Sequence, residues 1–106
     1  MNGKLFTFFG FSIKSGNLAV GQNGIEALKR KIYLLALCAS ASENTKKTAV
    51  KYAEKNKCAL IESKDELQNY VGKQNCKIVA VTDAKLAEAI YENIGSDFTI
   101  LIGRKV

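Results

Sequence analysis

The chain has 106 residues, 16 lysines and arginines against 10 aspartates and glutamates, three cysteines, and no histidine, tryptophan or proline. That length makes one domain with enough apolar content for a core of its own, and the missing histidine excludes Ser-His-Asp and Cys-His catalysis and any imidazole zinc ligand. The net charge of +6 points to a polyanionic partner, and residues 1–42 carry most of it, with Lys4, Lys14, Lys29, Arg30 and Lys31 against Glu26 alone.

In chain order, Leu5, Phe8, Phe9 and Ser12 fall at helical spacings, and the pattern predicts a first helix over residues 4–15 that stops at Gly16. Its apolar stretch is too short to span a bilayer, which takes roughly 20 residues, and lacks a signal-peptide cleavage site, so a cytoplasmic protein without a membrane partner is expected. Asn17 to Gly21 suits a short strand. Residues 22–31 follow as a second helix, with Lys29, Arg30 and Lys31 in its last turn, where cations complement the dipole.

The run Ile32 to Cys38 is continuously apolar, the mark of a central strand covered on both faces. Ser40-Ala41-Ser42-Glu43 matches a capping box for a helix reaching about Asn56, with Lys47, Lys51 and Lys55 as a solvated basic stripe. Residues 58–62 read as a third strand. Ser63 to Glu66 reads as a second capping box, opening a short helix that closes at Gly72. Residues 78–81 form a further strand, Asp83 caps a last helix stopping at Gly95, and Phe98 to Ile102 suits an edge strand. Alternating strands and helices predict one α/β domain over residues 1–106. We expect a three-layer α/β/α sandwich with a central mixed sheet of about four strands, a core over about 4–95 and a tail from 96 to 106.

Candidate chemistry is sparse. Cys38, Cys58 and Cys76 have no C-x-x-C spacing and read as reduced core residues, and neither common nucleotide-phosphate cradle is present, so no cofactor and no metal is expected. The carboxylates are dispersed or in caps, and no base accompanies Ser40, Ser42 or Thr45, so no enzyme activity is expected. Gly21-Gln22-Asn23-Gly24 is the informative junction. Small residues there let a phosphate or base edge approach free backbone N–H groups at a helix start, while the amides of Gln22 and Asn23 present donor and acceptor together. The same four residues also make an ordinary turn.

An ordered series of segments resembles the kink-turn-binding ribosomal proteins, the L-seven-Ae and L-thirty-e superfamily, in its small bacterial branch. The series runs from Phe9-Gly10-Phe11 and Ser15-Gly16-Asn17-Leu18 through Gly21-Gln22-Asn23 and Glu26-Ala27-Leu28-Lys29-Arg30 to Ile32–Cys38. It continues with Ala41-Ser42-Glu43-Asn44-Thr45-Lys46-Lys47, Glu62 to Leu67, Val71-Gly72-Lys73 and Val79 to Asp83. The resemblance implies a three-layer α/β/α fold and a non-catalytic RNA-binding role, ribosomal or ribosome-associated. It places base reading at Gly21, Gln22 and Asn23, with a second contact in the loop Gly72, Lys73, Gln74, Asn75 and Cys76. Lys29 and Arg30 are expected to add phosphate contacts. Two positions depart: the family signature has Glu where this chain has Gly24, and Lys where it has Ala27, which weakens guanine readout and leaves phosphate contacts.

The expected partner is therefore a structured, kink-turn-like RNA, with ribosomal RNA among the candidates, bound by a monomer. The alternative is a protein-interaction or scaffolding domain of the same fold that has lost kink-turn specificity. A third reading makes the chain the RNA-substrate module of a two-domain modifying enzyme whose catalytic half lies elsewhere.

Overall fold

The computed structural model describes residues 3–104. Five helices and five strands alternate: α1 (Gly3–Lys14), β1 (Leu18–Val20), α2 (Gly21–Glu26), β2 (Leu34–Cys38), α3 (Glu43–Asn56), β3 (Ala59–Ser63), α4 (Gln68–Val71), β4 (Ile78–Val81), α5 (Ala84–Glu92) and β5 (Phe98–Ile102). The strands form one mixed sheet in the order β1-β4-β2-β3-β5. Only β2 and β3 run parallel; β4 is antiparallel to both β1 and β2, and β5 is antiparallel to β3.

All five residues of β2 are buried, as its unbroken apolar run predicts. Alternate side chains leave the strand in opposite directions, so Leu34, Ala36 and Cys38 enter a core with α1, α4 and α5, while Leu35 and Leu37 enter another with α2 and α3. Helices thus cover both faces of the sheet. In the first core Phe9, Tyr70 and Phe98 form an aromatic trio with ring centroids 5.2–6.2 Å apart. The second is lined by smaller residues, with Ala49 and Ala53 letting α3 approach the sheet closely.

The sheet has five strands rather than about four, because Phe98–Ile102, expected as an edge strand in the tail, joins it beside β3. The core therefore runs past residue 95 to β5; positions 1–2 and 105–106 of the expected domain lie outside the described residues. β5 carries one extra residue, Leu101, between its pairings with Leu60 and Ile61, a bulge of the kind that discourages edge-to-edge association.

The second helix is shorter than predicted. α2 ends at Glu26, so Lys29, Arg30 and Lys31 lie beyond it and not in its last turn. Nothing in Ala27-Leu28-Lys29 disfavours helix locally; the chain leaves the helix because Ile32 must reach the second core at the start of β2. Both capping boxes are also reassigned. Ser42, not Ser40, caps α3 by accepting from the Thr45 amide at 3.2 Å. Ser63 lies within β3 and its hydroxyl donates to the Asp65 carbonyl, and only four residues, Gln68–Val71, become helical before Gly72 closes them at φ +70°. Asp83 caps α5 as expected, accepting from Leu86 N at 2.9 Å.

Among the described residues no helix is long and apolar enough to cross a membrane. The fully buried Leu35, in the strand that both cores share, sets the stability test: Leu35→Ala is expected to lower unfolding free energy by roughly 2–5 kcal/mol. Urea denaturation should read this as a lower midpoint with an unchanged slope.

Candidate nucleic-acid interface

Pairing fixes which loops share an end of the sheet. Val20, the last residue of β1, lies opposite Val79 near the start of β4, and Leu37 lies opposite Ile78. One end is therefore built from the exits of β1, β2 and β3 and the entries of β4 and β5. Gly21, Gln22 and Asn23 leave β1 there, and Gly72, Lys73, Gln74 and Asn75 lead into β4 there. Two segments about fifty residues apart are thus brought to the same end of the molecule.

At the first segment Gly21 has φ +78°, a backbone conformation that side-chain-bearing residues adopt at a cost, and it turns the chain from strand to helix. Gln22 and Asn23 are exposed, and Gln22 Nε2 donates to Glu26 Oε1 at 3.4 Å. With six residues α2 offers little aligned dipole, so the usable donors and acceptors here are the two side-chain amides rather than the helix end. Gly24 is half-buried, and a Cβ there would meet Ala19 C at 4.0 Å, an ordinary van der Waals contact.

The second segment is a tight turn. Gly72 and Asn75 both take left-handed backbone angles, and Asn75 N donates to Gln68 Oε1 at 3.1 Å. Lys73, Gln74 and Asn75 are exposed, whereas Cys76 is buried and anchors the turn in the first core. Burial pushes the Cys76 thiol up to about 11, with the neighbouring Cys38 adding to the shift, so it stays a neutral core thiol.

Beneath these loops lies a cluster that the sequence did not announce. The Cys38 thiol donates to Glu66 Oε2 at 3.0 Å, Ser40 Oγ donates to the same oxygen at 3.0 Å, and Lys77 Nζ donates to Ser40 Oγ at 2.6 Å. Lys77 Nζ also stands 3.6 Å from Glu66 Oε2, and Leu67 N donates to Cys38 Sγ at 3.4 Å. The hydrogen bond from Cys38, then that from Ser40, holds the Glu66 carboxyl below the ordinary glutamate value, which makes it a poor proton acceptor for either neighbour. The cluster fastens together the loops after β2, after β3 and before β4, as a clasp. Its only sequence trace was Ser40 beside Glu43, misread as a cap, because its members stand 28 and 37 residues apart.

Lys29 and Arg30 do not join this end. Arg30 reaches Asn17 Oδ1 at 3.1 Å and the Gly16 carbonyl at 2.6 Å, beside the entry of β1. The entries of β1, β2 and β3 lie at the opposite end of the sheet. The expected site is therefore divided, with Gly21, Gln22, Asn23, Gly72, Lys73, Gln74 and Asn75 together and the two cations elsewhere. The near end is close to balanced in charge, since Lys46 pairs with Glu62 at 3.9 Å and Lys77 with Glu66.

No protein-family model matches the chain, and no curated protein matches it in sequence. A solved structure, described as that of a protein with unknown function from Bacillus halodurans C, superposes with a TM-score of 0.68 at 19% identity, covering 84% of this chain and 94% of its own. That likeness is one of fold.

The clasp yields a pH test. A carboxyl whose folded value is depressed stabilises the fold above its unfolded value, and that contribution is lost as pH falls through the folded value. Carboxyl-detected NMR titration should give Glu66 a midpoint below that of an ordinary glutamate, and Cys38→Ala should move the midpoint upward by removing the largest cause.

Proposed function

We propose that this chain is a non-catalytic, monomeric, cytoplasmic RNA-binding protein, ribosomal or ribosome-associated, that docks a kink-turn-like RNA on the end of the sheet formed by Gly21–Asn23 and Gly72–Asn75. The observation that carries the reading is the β1–β4 pairing, which brings the two segments to the same end of the sheet. Helices on both faces of a mixed sheet are consistent with the three-layer L-thirty-e-like architecture that the sequence resemblance implies. In this reading Asn23 and Gln22 contact base edges, Lys73 contacts phosphate, and Gln74 and Asn75 face an unstacked nucleotide. The clasp holds the second loop in place before the RNA arrives, which limits the ordering cost of binding.

Gly24 and Ala27 shift the balance from base reading toward shape and backbone contact, so discrimination is expected to be modest. Exposed Phe6 and Phe11, at 51% and 53%, favour as a second reading a protein-interaction domain. Light scattering that rises with concentration, without RNA affinity, would support it.

Electrophoretic mobility shift with a kink-turn RNA and a version lacking its G·A pairs tests the main reading. Asn23→Ala is expected to weaken binding by about 1–3 kcal/mol and to narrow the difference between the two RNAs, whereas Lys73→Ala should weaken both about equally. Equal binding of kink-turn and plain duplex by the unaltered protein would remove the specific form of the proposal.

A further inference from the structure

The other end of the sheet carries an open cleft of about 190 Å³ between the entries of β2 and β3, the first turns of α5 and Arg104 beyond β5. Ile32, Leu34, Ala59 and Ala87 border it but are buried, each at most 5% exposed, and the buried Cys58 thiol is raised by desolvation to about 11 and so uncharged. The rim is cationic and aromatic. Lys31 Nζ lies 5.2 Å over the Tyr33 ring, and the Arg104 guanidinium lies 5.1 Å over the Tyr91 ring.

Lys57 supplies the third rim cation from the residue that ends α3. It holds a left-handed backbone, φ +54°, where glycine is the ordinary occupant. Neither Lys31 nor Lys57 has a carboxylate partner within ion-pair distance among the described residues, and Arg104 meets Glu92 only at 4.0 Å, at the limit of an ion pair. Glu88 is the one acid lining the cleft.

A second groove, of about 420 Å³, adjoins the first across Lys31, Ile32 and Asn56. It adds Lys29, Arg30 and Lys55, with Glu26 as its one acid. Together the two grooves gather six cations against two acids at one end of the molecule.

We propose that this cleft binds a nucleoside phosphate, with the base held against Tyr33 and the phosphate held by Lys31, Lys57 and Arg104. The Tyr33 ring, 39% exposed, favours an aromatic group, which inorganic phosphate lacks. The size sets how much is enclosed. At about 190 Å³ the cleft falls below the ~300 Å³ at which pockets begin to enclose drug-sized ligands. It therefore takes one base and leaves the sugar and phosphate at the rim, from which the second groove carries further phosphates past Lys55 and Lys29. A free nucleotide and one residue of single-stranded RNA present this same chemistry. The site is separate from the Gly21–Asn23 end and does not depend on the kink-turn reading.

The test is amide-resolved NMR titration of the whole protein with adenosine monophosphate, with a single-stranded RNA pentanucleotide and with inorganic phosphate. Saturable shifts at Tyr33, Lys57, Cys58 and Arg104, with Gly21–Asn23 unmoved by the mononucleotide, are expected. Binding of both nucleic-acid probes assigns the site to nucleotides in general, and binding of the pentanucleotide alone assigns it to single-stranded RNA. Tyr33→Ala and Lys57→Gln should each weaken binding about tenfold or more while circular dichroism stays unchanged, and Asn23→Ala should leave it intact. Three results would overturn the proposal: no shifts in the cleft with either nucleic-acid probe, phosphate alone binding as tightly as the mononucleotide, or nucleotide affinity indifferent to Tyr33→Ala.

Discussion

The insertion of β4 between β1 and β2 is the constraint on which the molecule's layout depends. β2 is buried along its whole length, so both of its edges must find hydrogen-bond partners, and parallel β3 fills only one. β4 fills the other by running antiparallel, which it does only by entering at the end where β2 leaves. The turn that precedes β4 must then lie where β1 and β2 stop, beside Gly21–Asn23. By the same geometry Lys29, Arg30 and Lys31, which precede β2, are sent to the far end. One strand pairing thus decides both which residues form the candidate RNA surface and which are excluded from it.

A shared end does not by itself fix loops against one another, and here the clasp supplies what the ladder does not. Cys38 continues the ladder through its amide, bonded to the Lys77 carbonyl at 2.8 Å, while its thiol turns to Glu66. A single residue therefore links the exit of β2 to the entry of β4 by backbone and to the loop after β3 by side chain. The exposed Lys77–Glu66 ion pair adds little alone, because solvent screens it. The value of the arrangement lies in its sharing of one carboxylate among three donors, which restricts all three loops together.

The parts of this fold legible in the sequence are those where local pattern and tertiary need agree. The apolar run of β2 from Leu34 to Cys38, the Asp83 cap and the Gly72 stop each have a local cause and stand as expected, while Ile32 and Tyr33 at the start of the expected run precede the strand. The parts misread are those where tertiary need overrides a neutral local pattern. Ala27, Leu28 and Lys29 are sound helix formers, yet the chain leaves the helix to bury Ile32. Ser40 and Ser42 are equal candidates for a cap; Ser40 is taken by Glu66 and Lys77, partners that only the folded sheet brings near. Phe98–Ile102 was visible as a strand, but its partner, β3, was not. The candidate site follows the same rule: its two loops could be named in sequence, while their adjacency and the exclusion of Arg30 rest on pairings of high sequence separation.

The division of charge between the ends bears directly on how the molecule meets a polyanion. Electrostatic interactions between exposed groups are screened over about 10 Å at 0.1 M salt, and the molecule measures 30 × 27 × 25 Å. At ordinary ionic strength the cations around Lys31 and Lys57 therefore contribute almost nothing to an RNA held at Gly21–Asn23, and the net charge of +6 is a poor guide to affinity there. Gathering six cations with two acids also sets like charges against one another, a repulsion that the near end avoids by pairing Lys46 and Lys77 with glutamates. The left-handed backbone of Lys57 is no part of that repulsion: it closes α3, with the residue's own amide bonded to the Glu54 carbonyl and the Cys58 amide bonded to the Ala53 carbonyl. A phosphate bound in the cleft proposed above would offset the repulsion among these cations, which is why the charge at this end favours an anion over a neutral ligand.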